Sequence, residues 1–139
     1  MTRYVIGPDV ALLLARDRAR VADSHRLVAP TLFRSHVLSL LYQAVGRGEL
    51  ARNEAESRLD YLRGLRIRFL GDRVLQRAAW QIADQLGWDD TFDAEYVALA
   101  QLQADAFVTL DAGLAGAVAG LVRLAAPDEL LAPGQRNPA

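Results

Sequence analysis

The chain has 139 residues, the length of one domain with room for a substantial core. Its 52% hydrophobic and 24% charged residues are ordinary for a globular protein and exclude a disordered or fibrous chain. With no cysteine, disulfides, cysteine-ligated zinc, iron–sulfur clusters and a catalytic thiol are excluded as well. The longest uncharged apolar stretch, Ala112 to Val122, is eleven residues with three glycines, far below the roughly 18–20 needed to cross a bilayer. Pro8 and Asp9 interrupt the apolar start, so no secretory leader is expected, and the reading is a soluble cytoplasmic protein without a membrane partner.

All sixteen basic residues are arginine, and the net charge of −1 conceals a segregation. Residues 1–83 carry fourteen arginines against eight acids, and residues 84–139 carry two against nine. Such asymmetry suggests an anionic partner on one surface and a cation site on another.

Tyr4-Val5-Ile6 is a short β-prone run that ends at Gly7-Pro8. A helix follows with Val10, Leu13, Leu14 and Val21 on one side. Leu27-Val28-Ala29 reads as a second strand stopped by Pro30, and Thr31 as the N-cap of a helix through Phe33, Val37, Leu38, Leu41, Ala44 and Val45. A further helix covers Ala51 to Arg63, joined to its predecessor by Gly46-Arg47-Gly48. This hairpin carries an apolar stripe, with Leu59 and Leu62 as the candidates for a partner or dimer surface. Leu65 to Phe69 alternates as a half-exposed strand. Helices are expected from Arg73 to Leu86, closed by Gly87, and from Asp93 to Ala104. Ala106 to Leu110 reads as a strand with Asp111 at its end, then a short helix from Ala112 to Ala119 and a last strand from Leu121 to Leu124.

Strands alternating with helices predict a single three-layer α/β/α domain over residues 1–131 with a central parallel sheet. The turn-rich remainder, 132–139, is expected to be a disordered tail. His25, in a polar stretch, is expected on the surface.

Open parallel sheets place their sites beyond the carboxyl ends of the strands. That rule selects Asp9 after the first strand, Thr109 and Asp111 at the end of the fourth, Asp93 at a helix start, and Asp89 and Asp90 before it. Carboxylates converging there without arginine repel one another unless a divalent cation lies among them, and hard oxygen donors favour Mg²⁺ or Mn²⁺. Such a cluster suits phosphodiester hydrolysis. Asp9, Asp90 and Asp93 also fit plain helix caps. No GxxxxGK[ST], GxGxxG or GxSxG motif is present. Arg16, Arg18 and Arg34, on the helices after the first two strands, are the candidate phosphate contacts.

Three segments resemble the PIN-domain ribonucleases, and among them the small VapC-type toxins of bacterial toxin–antitoxin pairs. Thr91-Phe92-Asp93-Ala94-Glu95-Tyr96-Val97-Ala98-Leu99-Ala100 is similar to the family's third motif, Phe107-Val108-Thr109-Leu110-Asp111 to the next, and Ala29-Pro30 through His36-Val37 to the second strand, proline and helix. The chain departs from the pattern twice. Gly7 stands at the first acid position, with Asp9 two residues on, and His36 stands where the family has Glu. The resemblance implies a Mg²⁺- or Mn²⁺-dependent endoribonuclease, homodimeric and held inactive by a cognate antitoxin. It assigns catalysis and metal binding to Asp93 and Asp111, with Asp9 and His36 as rebuilt members of the set. A second possibility is a PIN-like domain impaired in hydrolysis that binds RNA or the antitoxin.

Overall fold

In the computed structural model, which describes residues 1–134, the elements run β1 (Thr2–Ile6), α1 (Pro8–Asp17), β2 (His25–Pro30), α2 (Phe33–Gly46), α3 (Arg52–Gly64), β3 (Ile67–Leu70), α4 (Arg73–Leu86), α5 (Phe92–Gln103), β4 (Ala106–Val108) and α6 (Ala112–Val118), before a 3-10 turn at Pro127–Leu130. The four strands are all parallel, in the order β3-β2-β1-β4. The direction of winding therefore reverses between β1 and β4, which makes the carboxyl ends of those two strands the switch point of the sheet.

Local chemistry explains the boundaries. Gly7 is extended and Pro8 supplies the preset φ of the first helical position of α1. Asp72 caps α4 by accepting the Leu75 N–H at 2.9 Å, and Gly87 closes it at φ 68°. The register pairs Tyr4 with Leu27 and Leu27 with Ile67, so these residues share one face, on which Ile67 and Phe69 meet α2 and α3. The opposite face carries Val5, Val28 and Phe107 and is covered by α5, whose partner is α4. No charged or polar residue among those described is fully buried.

Some expectations are corrected. The last strand, Leu121 to Leu124, shrinks to a single parallel bridge between Phe107 and Leu124, because the turn after α6 uses up its first residues. Val21 lies beyond α1, which stops at Asp17, and instead bridges Leu131. Thr31 does not cap α2; the residue before the helix is Leu32, already in helical conformation, and no side chain caps it. His25 is no surface side chain: it opens β2 edge-on to the Tyr4 ring at 5.0 Å, and its ring nitrogens are shielded from solvent. Leu62 is buried in the core, whereas Leu59 is only half-buried. Ala132, placed in the tail by the sequence, is buried and donates to the Arg20 carbonyl at 2.8 Å; residues 135–139 of that tail lie outside the described residues. Among the described residues, no helix is long and apolar enough to cross a membrane.

Candidate active site

The first turn of α1 places Asp9 beside the end of β4. Its Oδ2 accepts the Leu110 N–H at 2.8 Å and the Thr109 hydroxyl at 3.2 Å, and its Oδ1 accepts the Val10 N–H at 2.8 Å. Asp9 is thus more than a helix cap: its carboxylate ties two strand ends together across 100 residues of sequence. The Thr109 hydroxyl in turn accepts the Asp111 N–H at 3.2 Å, and Asp111 caps α6 by accepting the Leu114 N–H at 3.0 Å. The three residues Asp9, Thr109 and Asp111 form one chain of hydrogen bonds along the carboxyl edge of the sheet.

Gly7 explains how the displaced acid fits. A Cβ built on Gly7 would lie 2.6 Å from the Asp9 Oδ1. The Asp9 carboxylate therefore occupies the space into which a side chain at position 7 would project.

Asp93 lies in the first turn of α5, facing the same edge. Its carboxyl pKa is raised, first by burial, then by the carboxylates of Asp90 and Asp111 and, more weakly, Asp9; His36 acts in the opposite sense. No arginine figures among the causes of the Asp93 shift. Asp90 is partly spent as a turn residue, accepting the Phe92 N–H at 3.1 Å.

His36 reaches this edge from the second turn of α2. Its Nδ1 is 3.3 Å from the Tyr96 hydroxyl, and its ring stands edge-on to Phe92 at 6.1 Å. Tyr96 is buried among apolar groups and near Asp93 and Glu95, which push its hydroxyl pKa well above the usual range, so it stays protonated. Tyr96 was not singled out as a site residue from sequence; its spacing of three from Asp93 on one helix face was the available signal.

The structure brings Asp9, Asp93, Asp111 and His36 to one edge. As the side chains stand, no group of three or more His, Asp or Glu among the described residues is drawn together tightly enough to hold a metal ion. The donors still suit a hard divalent cation in kind: burial first, and then the neighbouring carboxylates, raise the Asp93 pKa, and a cation relieves the repulsive part.

The three candidate RNA contacts are scattered. Arg16 pairs with Asp17 at 2.9 Å, and Arg18, at φ 48° past the end of α1, bonds Ser57 at 2.8 Å and faces Glu54 at 3.6 Å. Both lie at the far end of α1, roughly 10 Å or more from Asp9 at 1.5 Å rise per residue. Arg34 opens α2 nearer the acidic edge, but its guanidinium lies over the Phe69 ring at 4.3 Å.

No protein-family model matches the chain, and no curated protein matches it by sequence. Solved structures do. PAE2754 from Pyrobaculum aerophilum matches with a TM-score of 0.66 at 19% identity, over 93% of this chain and 92% of that one. A chain of VapBC2 from Rickettsia felis, whose structure is bound to a DNA fragment from their promoter, matches with a TM-score of 0.65 at 10% identity, over 89% of this chain and 98% of that one. The likeness is one of fold, a PIN-like three-layer α/β/α arrangement.

Two measurements check this geometry. Gly7→Ala should destabilise the chain by displacing the Asp9 carboxylate, and the double variant Gly7→Ala/Asp9→Ala should cost less than the two single changes summed, by about 1 kcal/mol in urea denaturation; strict additivity would show that the two positions do not share space. Because the Asp93 pKa is raised in the folded chain, its ionised form opposes folding. Asp93→Asn should therefore melt above wild type at neutral pH, with the difference vanishing as pH falls below the ordinary carboxylate range.

Proposed function

We propose that this chain is a metal-dependent endoribonuclease toxin neutralised by a cognate antitoxin. The observation that carries the reading is the acidic edge: Asp9, Asp93 and Asp111 act on one another at the switch point of a PIN-like sheet. The fold shared with a VapBC2 chain and the resemblance of three sequence motifs support it.

Asp93 and Asp111 would hold Mg²⁺ or Mn²⁺, with Asp9 and His36 beside them. A bound ion of this kind supplies a water of lowered pKa and offsets charge on the scissile phosphate. The protein's own part is positioning. Asp9 and Thr109 fix the turn after β4, and so the aim of Asp111. Tyr96 orients His36 through its hydroxyl. Burial of α5 holds Asp93 against the same edge.

A specific observation favours the second reading, an impaired domain that binds without cutting: both oxygens of Asp9 already accept hydrogen bonds, and the donors are not convergent as they stand. Cleavage of total RNA with added Mn²⁺ or Mg²⁺ decides between them. Wild type should cut, Asp93→Asn should lose about 10²-fold or more in rate, a loss on the scale of removing an electrostatic stabiliser, and Asp9→Asn should fall less. Absence of metal-dependent cleavage by wild type favours the binding module.

The α2–α3 hairpin supports a place for the antitoxin. Two adjoining concavities of about 490 and 470 Å³ share Leu38 and Leu59, and Leu38 and Tyr42 are 55% and 79% exposed there. An apolar segment of an antitoxin suits this groove, and a second copy of the chain is its competitor in the homodimer reading. Leu38→Glu/Tyr42→Glu should weaken antitoxin binding about ten-fold or more, as the loss of buried apolar anchors does, while keeping the wild-type melting temperature. Leu62→Glu, a core change, should unfold the chain.

A further inference from the structure

Three adjacent strands present arginines on one side of the sheet. The register pairs Arg3 of β1 with Arg26 of β2, and Arg68 of β3 with Val28 of β2; Arg66, just before β3, lines the same concavity. All four are exposed, and none belongs to an ion pair among the described residues. They line a concavity of about 490 Å³ that contains no aspartate or glutamate. Asp105, close by, accepts the main-chain N–H of Arg3 at 2.8 Å, and the Arg26 Nε faces the Met1 sulfur at 3.0 Å. The end of α5, at Gln103, contributes the negative end of a helix dipole, at most half a charge.

Like charges on neighbouring strands repel, so this arrangement raises the energy of the free sheet. It lies at the amino ends of the strands, opposite the acidic edge. We propose that Arg3, Arg26, Arg66 and Arg68 form a binding row for the phosphate backbone of a nucleic acid strand. With strands about 4.8 Å apart, the row spans roughly 10 Å, too wide for one phosphate and suited to successive ones. Guanidinium forks pair with phosphate oxygens, and their planes stack on bases, a combination that acidic peptides do not use. The row deepens the nuclease reading by giving the substrate a second anchor, and its binding does not depend on cleavage.

The test is fluorescence anisotropy of a labelled single-stranded RNA oligonucleotide with the full chain in EDTA, across a salt series. Arg26→Gln/Arg66→Gln should bind about ten-fold or more weakly, and the salt slope should shrink by about 1.4, as expected for two lost phosphate contacts on a single strand. Arg3→Gln/Arg68→Gln, a second pair on the same row, should behave alike, and melting curves verify folding of both. Arg52→Gln, which removes a paired arginine elsewhere, should bind as wild type does. Substituting duplex DNA for RNA tells which nucleic acid is preferred, and loss of binding in the row variants with either supports the row. Unchanged affinity in both arginine pairs overturns it, whether or not the protein cleaves RNA, and equal competition by polyglutamate overturns the nucleic-acid assignment.

Discussion

The contact on which the rest of the acidic edge depends is the carboxylate of Asp9 spanning from α1 to the end of β4. β4 has only three residues and pairs with β1 alone, apart from the single bridge to Leu124. Such a short strand is weakly held by its ladder. A charged acceptor that takes both the Leu110 N–H and the Thr109 hydroxyl contributes on the order of 1.5–3 kcal/mol per bond, comparable with what the ladder itself supplies. The same contact sets where α6 begins, because Asp111 follows immediately and its own N–H is held by Thr109. Fold and site are therefore not separable here: the residue that joins the two halves of the winding is also a member of the acid set.

The sequence was most informative where a residue type and a chain position said the same thing. That Asp93 and Asp111 lie near one another on the carboxyl edge was legible because each stands at a strand or helix terminus, and the parallel-sheet rule directs attention to those termini. The alternation of strands and helices fixed the layer order for the same reason. What escaped notice depended on register or on packing between distant segments. That Arg3, Arg26, Arg66 and Arg68 share a surface follows only once β1, β2 and β3 are aligned. The Tyr96 contact to His36 joins residues 60 apart. His25 was misjudged because its neighbours Ser24 and Arg26 are polar, whereas alternation along β2 turns its ring inward against Tyr4. Arg16 and Arg18 were chosen by helix membership without counting helix length, and ten residues of α1 carry them away from the edge they were meant to serve.

Charge segregation along the chain becomes charge segregation in space. Arginines on β1, β2 and β3 gather at the amino ends of the strands, and the acids of α5 and the β4–α6 turn gather at the carboxyl ends. With strands of about five residues at 3.3 Å each, the two poles stand on the order of 15 Å apart, beyond a physiological Debye length of about 8 Å. Each pole therefore attracts its own counter-ions with little cancellation by the other, which a net charge of −1 does not reveal.

The helix that carries Asp93 is also the one most completely enclosed. Ala94 and the run Tyr96 to Ala100 are all buried, between the sheet on one side and α4 on the other. Segments of this kind open only when the whole molecule opens, whereas helices with one wet face fray in smaller steps. The acid at its first turn is consequently fastened to the last cooperative unit to come apart. A fluctuation that loosens the α2–α3 hairpin would shift His36 on α2 while leaving Asp93 on its enclosed helix.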